Sequence, residues 1–167
     1  MKRRTVLAGV LPFLQGGRWL DQLLLVNQGE VVGKRLVGIT GEGTTEIAVI
    51  SGTETDVSSE HEDLLGDSPE GVSAEVTSIL REIYDDIRFD VTVSHHEGSL
   101  NILGRTGTAE YRTSRALYSG LDVGEHISFQ TSLLKRDTIT SLSCRANEEA
   151  SLKRRCRVGI EDPTAER

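Results

Sequence analysis

The clearest helical periodicity in this chain is set among segments that alternate with the period of a strand. Between residues 72 and 87, Val72, Val76, Ile79, Leu80, Ile83, Tyr84 and Ile87 recur at steps of three and four. That spacing places them along one stripe of a helix. Ser68-Pro69-Glu70 suits its entry, with a serine cap before a proline at the first helical position. The stripe is expected to pack as core across a sheet rather than to hold a ligand.

The sheet is read from the alternations. Residues 31–40 and 45–51 form two expected strands around the turn-like Gly41-Glu42-Gly43. Beyond the helix, Phe89, Val91 and Val93 alternate with Asp90, Thr92 and Ser94. His95-His96-Glu97-Gly98 reads as a turn, followed by a return strand from 100 to 103. Residues 109–113 form a further strand with Tyr111 inward. Ile127, Phe129, Thr131 and Leu133 alternate again, and 138–144 can pair with them across Lys135-Arg136-Asp137. The fold class is therefore α+β: a mainly antiparallel sheet or small open barrel of six to seven strands with one principal amphipathic helix. A single domain is expected over residues 30–145, followed by a tail, 146–167, that is basic and then acidic. Its last residues, 161–167, are expected to carry no regular structure.

Between the two β halves, residues 111–125 read as a strand end, a short turn and a lead into the next strand. Ser114 can cap that turn, Leu117, Tyr118 and Leu121 can plug a barrel end, and Gly124 permits tight backbone. The segment resembles a phrase found in small exported or membrane-attached β domains. There Tyr111-Arg112-Thr113-Ser114 stands where such domains have a Y-x-V-S-like strand end, and Val123-Gly124-Glu125 where they have V-G-D.

The amino terminus points to export. Arg3-Arg4-Thr5-Val6-Leu7 begins a basic segment whose apolar run, residues 5–14, is too short to span a membrane. It resembles a twin-arginine translocation signal, with Arg3 and Arg4 as the twin arginines. No A-x-A-like site or lipobox cysteine follows, so cleavage and retention both stay open. The segment is expected to occupy residues 1–17 and could reach about residue 28, because 18–29 reads either as its continuation or as the first element of the fold.

Charge fits the same address. The chain carries 26 acidic against 19 basic residues, a net charge of −7, and without residues 1–17 it stands at −10. Fifteen of the basic residues are arginine and only Lys2, Lys34, Lys135 and Lys153 are lysine. In molar salt the Debye length is about 3 Å, so acidic surfaces repel little and stay hydrated. Taken together, the chain resembles small uncharacterised exported proteins of halophilic archaea. That resemblance implies the Tat export machinery as a partner and a place outside the cytoplasm, secreted or cell-surface associated, and it brings no known activity.

Chemistry is sparse. From Leu36 to Leu80 there are ten acids and no lysine or arginine, but their spacing does not match a calcium loop, so a solvated face is expected. His95 and His96 are adjacent and would point to opposite faces of a strand. His61 lies in the acidic loop, and His126 opens a strand. No G-x-S-x-G, H-E-x-x-H, G-x-G-x-x-G or Walker motif occurs. No catalytic, cofactor-binding or metal-ligating residue is assigned, and an enzyme is not the favoured reading. Cys144 and Cys156 could close a short disulfide, or stand as a buried and a free thiol. Lys153, Arg154, Arg155 and Arg157 form a basic cluster without interleaved aromatics, on a chain too acidic for a nucleic-acid partner. The expected function is an exported, salt-adapted structural or binding module with an unidentified surface partner and no transmembrane span. The alternative is a small extracytoplasmic enzyme or metal-binding protein whose site is assembled from distant residues.

Overall fold

One long strand organises the molecule. In the computed structural model, which describes residues 24–66, 69, 71–96, 107–132 and 134–156, strand β1 runs from Leu24 to Thr40. Three other strands share it. Its first part, 24–30, pairs with β6 (His126–Ser132), and its last part, 33–40, pairs with β2 (Gly43–Ser51). Along the opposite edge, 29–39 pairs with β4 (Asp86–His95). An extra residue in β1, Val32, stands between the pairs Val31–Val93 and Gly33–Thr92. It bends β1, as extra residues in a strand do, and lets it serve both halves of the sheet. Opposite Leu36 and Val37 the extra residue, Ile47, belongs to β2.

The remaining strands extend these pairs. β3 (Glu54–Val57) adds to β2, β5 (Thr108–Thr113) adds to β4, and β7 (Ile139–Ala146) adds to β6, all antiparallel. The described residues thus form a seven-stranded, mainly antiparallel sheet. Its two free flanks then meet. Arg112 of β5 bridges Thr138 in parallel, and the Arg112 N–H donates to Asp137 O at 2.7 Å. The contact closes a ring, β1–β4–β5–β7–β6 and back to β1. This order, with one parallel contact and a helix between its third and fourth strands, is the connectivity of the OB barrel, a partly open five-stranded Greek key. Strands β2 and β3 and two helices, α1 (Glu62–Leu65) and α2 (Ala74–Ile83), are inserted between the ring's first two strands.

The ring encloses an apolar interior of Val31, Leu36, Phe89, Val91, Val93, Tyr111, Ile127, Phe129 and Ile139. Tyr111 points inward as its alternation requires, at 1% exposure. Helix α3 (Arg115–Gly120) joins β5 to β6 and plugs the interior with Tyr118 and Leu121. Ser114 caps it, its Oγ accepting from Leu117 N–H at 3.2 Å. Gly124 takes φ +89°, where a side chain would be strained, and its N–H donates to Val31 O at 2.7 Å.

Several expectations are corrected. The helix expected over 72–87 spans only 74–83. Ser73 caps it through Val76 N–H at 3.1 Å, and the backbone turns extended at Tyr84 so that β4 can begin. Of its stripe, Val72, Leu80, Tyr84 and Ile87 are core and Val76 packs against it, whereas Ile79 and Ile83 are 39% and 58% exposed. The stretch 52–71, read as a loop, contains β3 and α1. β3 escaped notice because Glu54, Thr55 and Asp56 are polar and exposed, the composition of a protected edge strand. The described residues begin at Leu24 in β1, within the stretch left open as signal or fold, and regular structure continues past residue 145. Helix α4 (Glu149–Arg155) follows β7, and a Cys144–Cys156 disulfide ties its end back to that strand across a Cα separation of 5.8 Å. Leu152 is buried against Ala146 and the bridge. The 1–17 segment with Arg3 and Arg4, the strand expected at 100–103 and residues 161–167 lie outside the described residues. Among the described residues no helix is long and apolar enough to cross a membrane.

Candidate functional site

The outer face of β3-β2-β1-β4-β5 is a hollow built on alternation. On β1, Gly33 and Arg35 face outward between inward Lys34 and Leu36; on β4, Asp90 and Thr92 alternate with Phe89, Val91 and Val93. Gly33 has no side chain, and a Cβ there would sit 3.1 Å from the Ile50 carbonyl oxygen, so the floor of the hollow stays open. Two adjoining clefts result. One, of about 340 Å³, is lined by Gly33, Arg35, Glu46, Thr92 and Glu110 among others. The second, of about 580 Å³, shares Glu46, Val49 and Ser51 and adds Glu54, Thr55 and Asp56.

Arg35 stands at the centre. Its Nη2 donates to Glu110 Oε1 at 2.7 Å and lies 3.6 Å from Asp90 Oδ2, while Nη1 lies 3.8 Å from Glu46 Oε1. Register explains the convergence, because Asp90 is the direct cross-strand partner of Arg35. Asp90 is 1% exposed and also accepts from Arg88 Nε at 2.8 Å. Its Oδ1 and the Nε of Arg35 are buried without a hydrogen-bond partner among the described residues. Such atoms are uncommon in native folds and call for a reason. With Glu54 and Asp56 on its far wall, the groove carries a surplus of carboxylates.

A second constellation lies by α4. His96 Nε2, just past the end of β4, and His126 Nδ1, at the start of β6, are 3.0 Å apart. Burial pulls the His96 pKa below the ordinary imidazole value; the Glu149 carboxylate opposes that, His126 and Lys153 add to it, and Glu30 opposes it weakly. Glu149 is held low, first by its hydrogen bond from Lys153 and then by the charge of His96. Beside the pair, Arg145 makes a two-point contact with Glu125, at 2.6 and 2.8 Å. That contact pushes the guanidinium pKa further up. A polar cleft of about 330 Å³ opens there, lined by Glu125, Arg145, Asn147, Ser151 and Arg155.

The other polar interior groups are structural. Lys34 is 1% exposed, donates from Nζ to Leu121 O at 2.8 Å and lies 4.5 Å from the centre of the Tyr118 ring. It thereby fastens β1 to the end of α3 by satisfying a carbonyl that the helix leaves open. His95 Nε2 meets the Tyr111 hydroxyl at 2.7 Å, and His61 Nε2 meets that of Tyr84 at 3.2 Å. Burial and the Glu60 carboxylate push the Tyr84 phenol up.

Adjacent His95 and His96 do face opposite ways, and that divergence is what carries His96 to His126. The meeting of His96 and His126 was invisible in sequence, since they stand 30 positions apart with a helix between them. The groove had one faint signal: Lys34 and Arg35 stand immediately before a run of ten acids. No protein-family model matches the chain, and no curated protein or solved structure matches it either.

Proposed function

We propose that this protein is an exported, salt-adapted binding module of the cell surface or extracellular space, and that the groove across β3-β2-β1-β4-β5 is its binding surface. The observation carrying the reading is the buried Asp90 carboxylate, one oxygen unsatisfied, set with Arg35 in the floor of an open, carboxylate-lined groove. Barrels with this connectivity bind ligands on the face of their second and third strands, which here are β4 and β5. Fold alone assigns no function, and the charge of the groove selects among ligands. Glu46, Glu54, Asp56 and Glu110 repel a phosphate backbone and suit a partner presenting ammonium or guanidinium groups. Short charge-assisted hydrogen bonds of that kind persist in salt that screens longer-range attraction. The twin-arginine start, the acidic, lysine-poor composition and the disulfide, a bond at home in oxidising compartments, support the extracytoplasmic part of the reading.

The test is fluorescence anisotropy with short dye-labelled peptides, one lysine-rich and one glutamate-rich. The lysine-rich peptide should bind, and Glu46→Gln with Glu110→Gln should weaken it by at least about tenfold, the loss of charge-assisted hydrogen bonds. Equal binding of both peptides, or of wild type and double variant, removes the groove from the account.

A further inference from the structure

The His96–His126 pair is hydrogen-bonded, and its geometry also suits two ligands of a single ion. The nitrogens are 3.0 Å apart while the ring centroids are only 4.9 Å apart, with planes inclined by 31°. Two imidazoles meeting nose to nose at that nitrogen separation would hold their centroids farther apart. The rings therefore meet at an angle, and their lone pairs can converge to one side of the line between them. Metal–imidazole bonds of 2.0–2.1 Å that span this gap would enclose an angle of roughly 95°. That is close to the angle of octahedral or tetragonal coordination and narrower than a tetrahedral one.

Oxygen donors flank the pair. Glu30 is the direct cross-strand partner of His126 between β1 and β6, which puts both side chains on one face of the sheet. Glu149, in the first turn of α4, currently holds Lys153. Its charge acts on both imidazoles. The disulfide keeps α4 beside β7 and so keeps Glu149 near the pair. Among the described residues no third donor already stands at ligand distance, so a bound ion must draw a carboxylate in.

We propose that His96 and His126 form a binding site for a divalent transition metal of the copper(II) or nickel(II) kind, completed by Glu149 as it leaves Lys153. Imidazole and carboxylate donors near a right angle suit those ions. On binding, the N–H shared by the pair moves to the other nitrogen of its own ring, freeing both lone pairs for the metal. The site is separate from the groove, so its failure would leave the groove reading untouched.

The experiment is calorimetric titration of the full chain with copper(II), nickel(II) and zinc(II) chlorides, one at a time. Copper or nickel should bind one ion per chain. His96→Gln or His126→Gln should weaken binding at least about a hundredfold, and Glu149→Gln about tenfold, the range seen when supporting groups are lost. Electron paramagnetic resonance of the wild-type copper complex needs no variant and should show coupling to two imidazole nitrogens. Binding unchanged in both histidine variants, or a copper spectrum without coupling to two imidazole nitrogens, overturns the proposal. A protein that takes up no copper or nickel also overturns it.

Discussion

Helices α2 and α3 begin alike and end in different surroundings. Each is capped by a serine whose hydroxyl accepts from the N–H three residues on, at 3.1 and 3.2 Å. The longer, α2, has the stronger apolar pattern and yet leaves Ile79 and Ile83 in solvent; the shorter, α3, buries Tyr118 and Leu121 completely. Connectivity makes the difference. α3 joins two consecutive strands of the ring and is delivered to its open end. α2 belongs to the insertion between β1 and β4 and rests on the sheet along a single line, Thr77, Leu80 and then Tyr84. An apolar stripe shows that a helix has a face to bury; the path of the chain decides how much of that face finds cover. The two helices also touch, since Arg115 Nη1 and Ser119 Oγ both donate to Val72 O at the entry to α2. The inner helix thus helps to position the outer one.

The comparison can be broken by mutation. Tyr118→Ala should cost about 3–5 kcal/mol in urea unfolding, as loss of a buried aromatic in a filled core does. A loss below about 1 kcal/mol would mean that α3 does not plug the ring. Cys144→Ser with Cys156→Ser should cost about 3 kcal/mol, the chain-entropy value for a loop near this length. Its effect on α4 should appear as lost protection of the Leu152 amide in hydrogen exchange. The two caps should then prove equal: Ser73→Ala and Ser114→Ala should each cost about 1 kcal/mol. A clear inequality would show that tertiary setting reaches into the caps as well.

Smaller still is the pH response of His96. Its folded pKa lies below the ordinary value, chiefly through burial, so the unfolded chain takes up the proton more readily. Stability should therefore fall as pH drops below about 6.5, and His96→Gln should flatten that slope in unfolding curves taken on either side of it. The smallest effect belongs to the outer helix: Ile83→Ser should stay within about 0.5 kcal/mol of wild type. A large destabilisation there would place Ile83 under cover that the described residues do not supply.

What could be read in the sequence was local. The Ser114 cap, the plug of Tyr118 and Leu121 and the turn at Gly124 lie within eleven consecutive residues, so short-range rules sufficed. The alternations of β4 and β6 were equally plain. The ring was not, because its closure depends on one bridge between Arg112 and Thr138, and no periodicity reports which strand flanks which. The early start of β1 was hidden by an apolar composition that a signal would share. The groove escaped for a related reason: Arg35, Asp90 and Glu110 come from three strands, and each alone looks like a solvated charge. Only the register that sets Arg35 opposite Asp90 brings them together.

Intact-mass spectrometry of cell and medium fractions tests whether this fold works outside the cytoplasm. Wild type should be compared with Arg3→Lys/Arg4→Lys. Wild-type protein should be found outside the membrane, should be lost there in the variant, and should be lighter by two hydrogens than the reduced chain because Cys144 and Cys156 are joined. Any cleavage must fall before Leu24, where β1 begins. Full-length, fully reduced protein confined to the cytoplasm in both strains would contradict that placement.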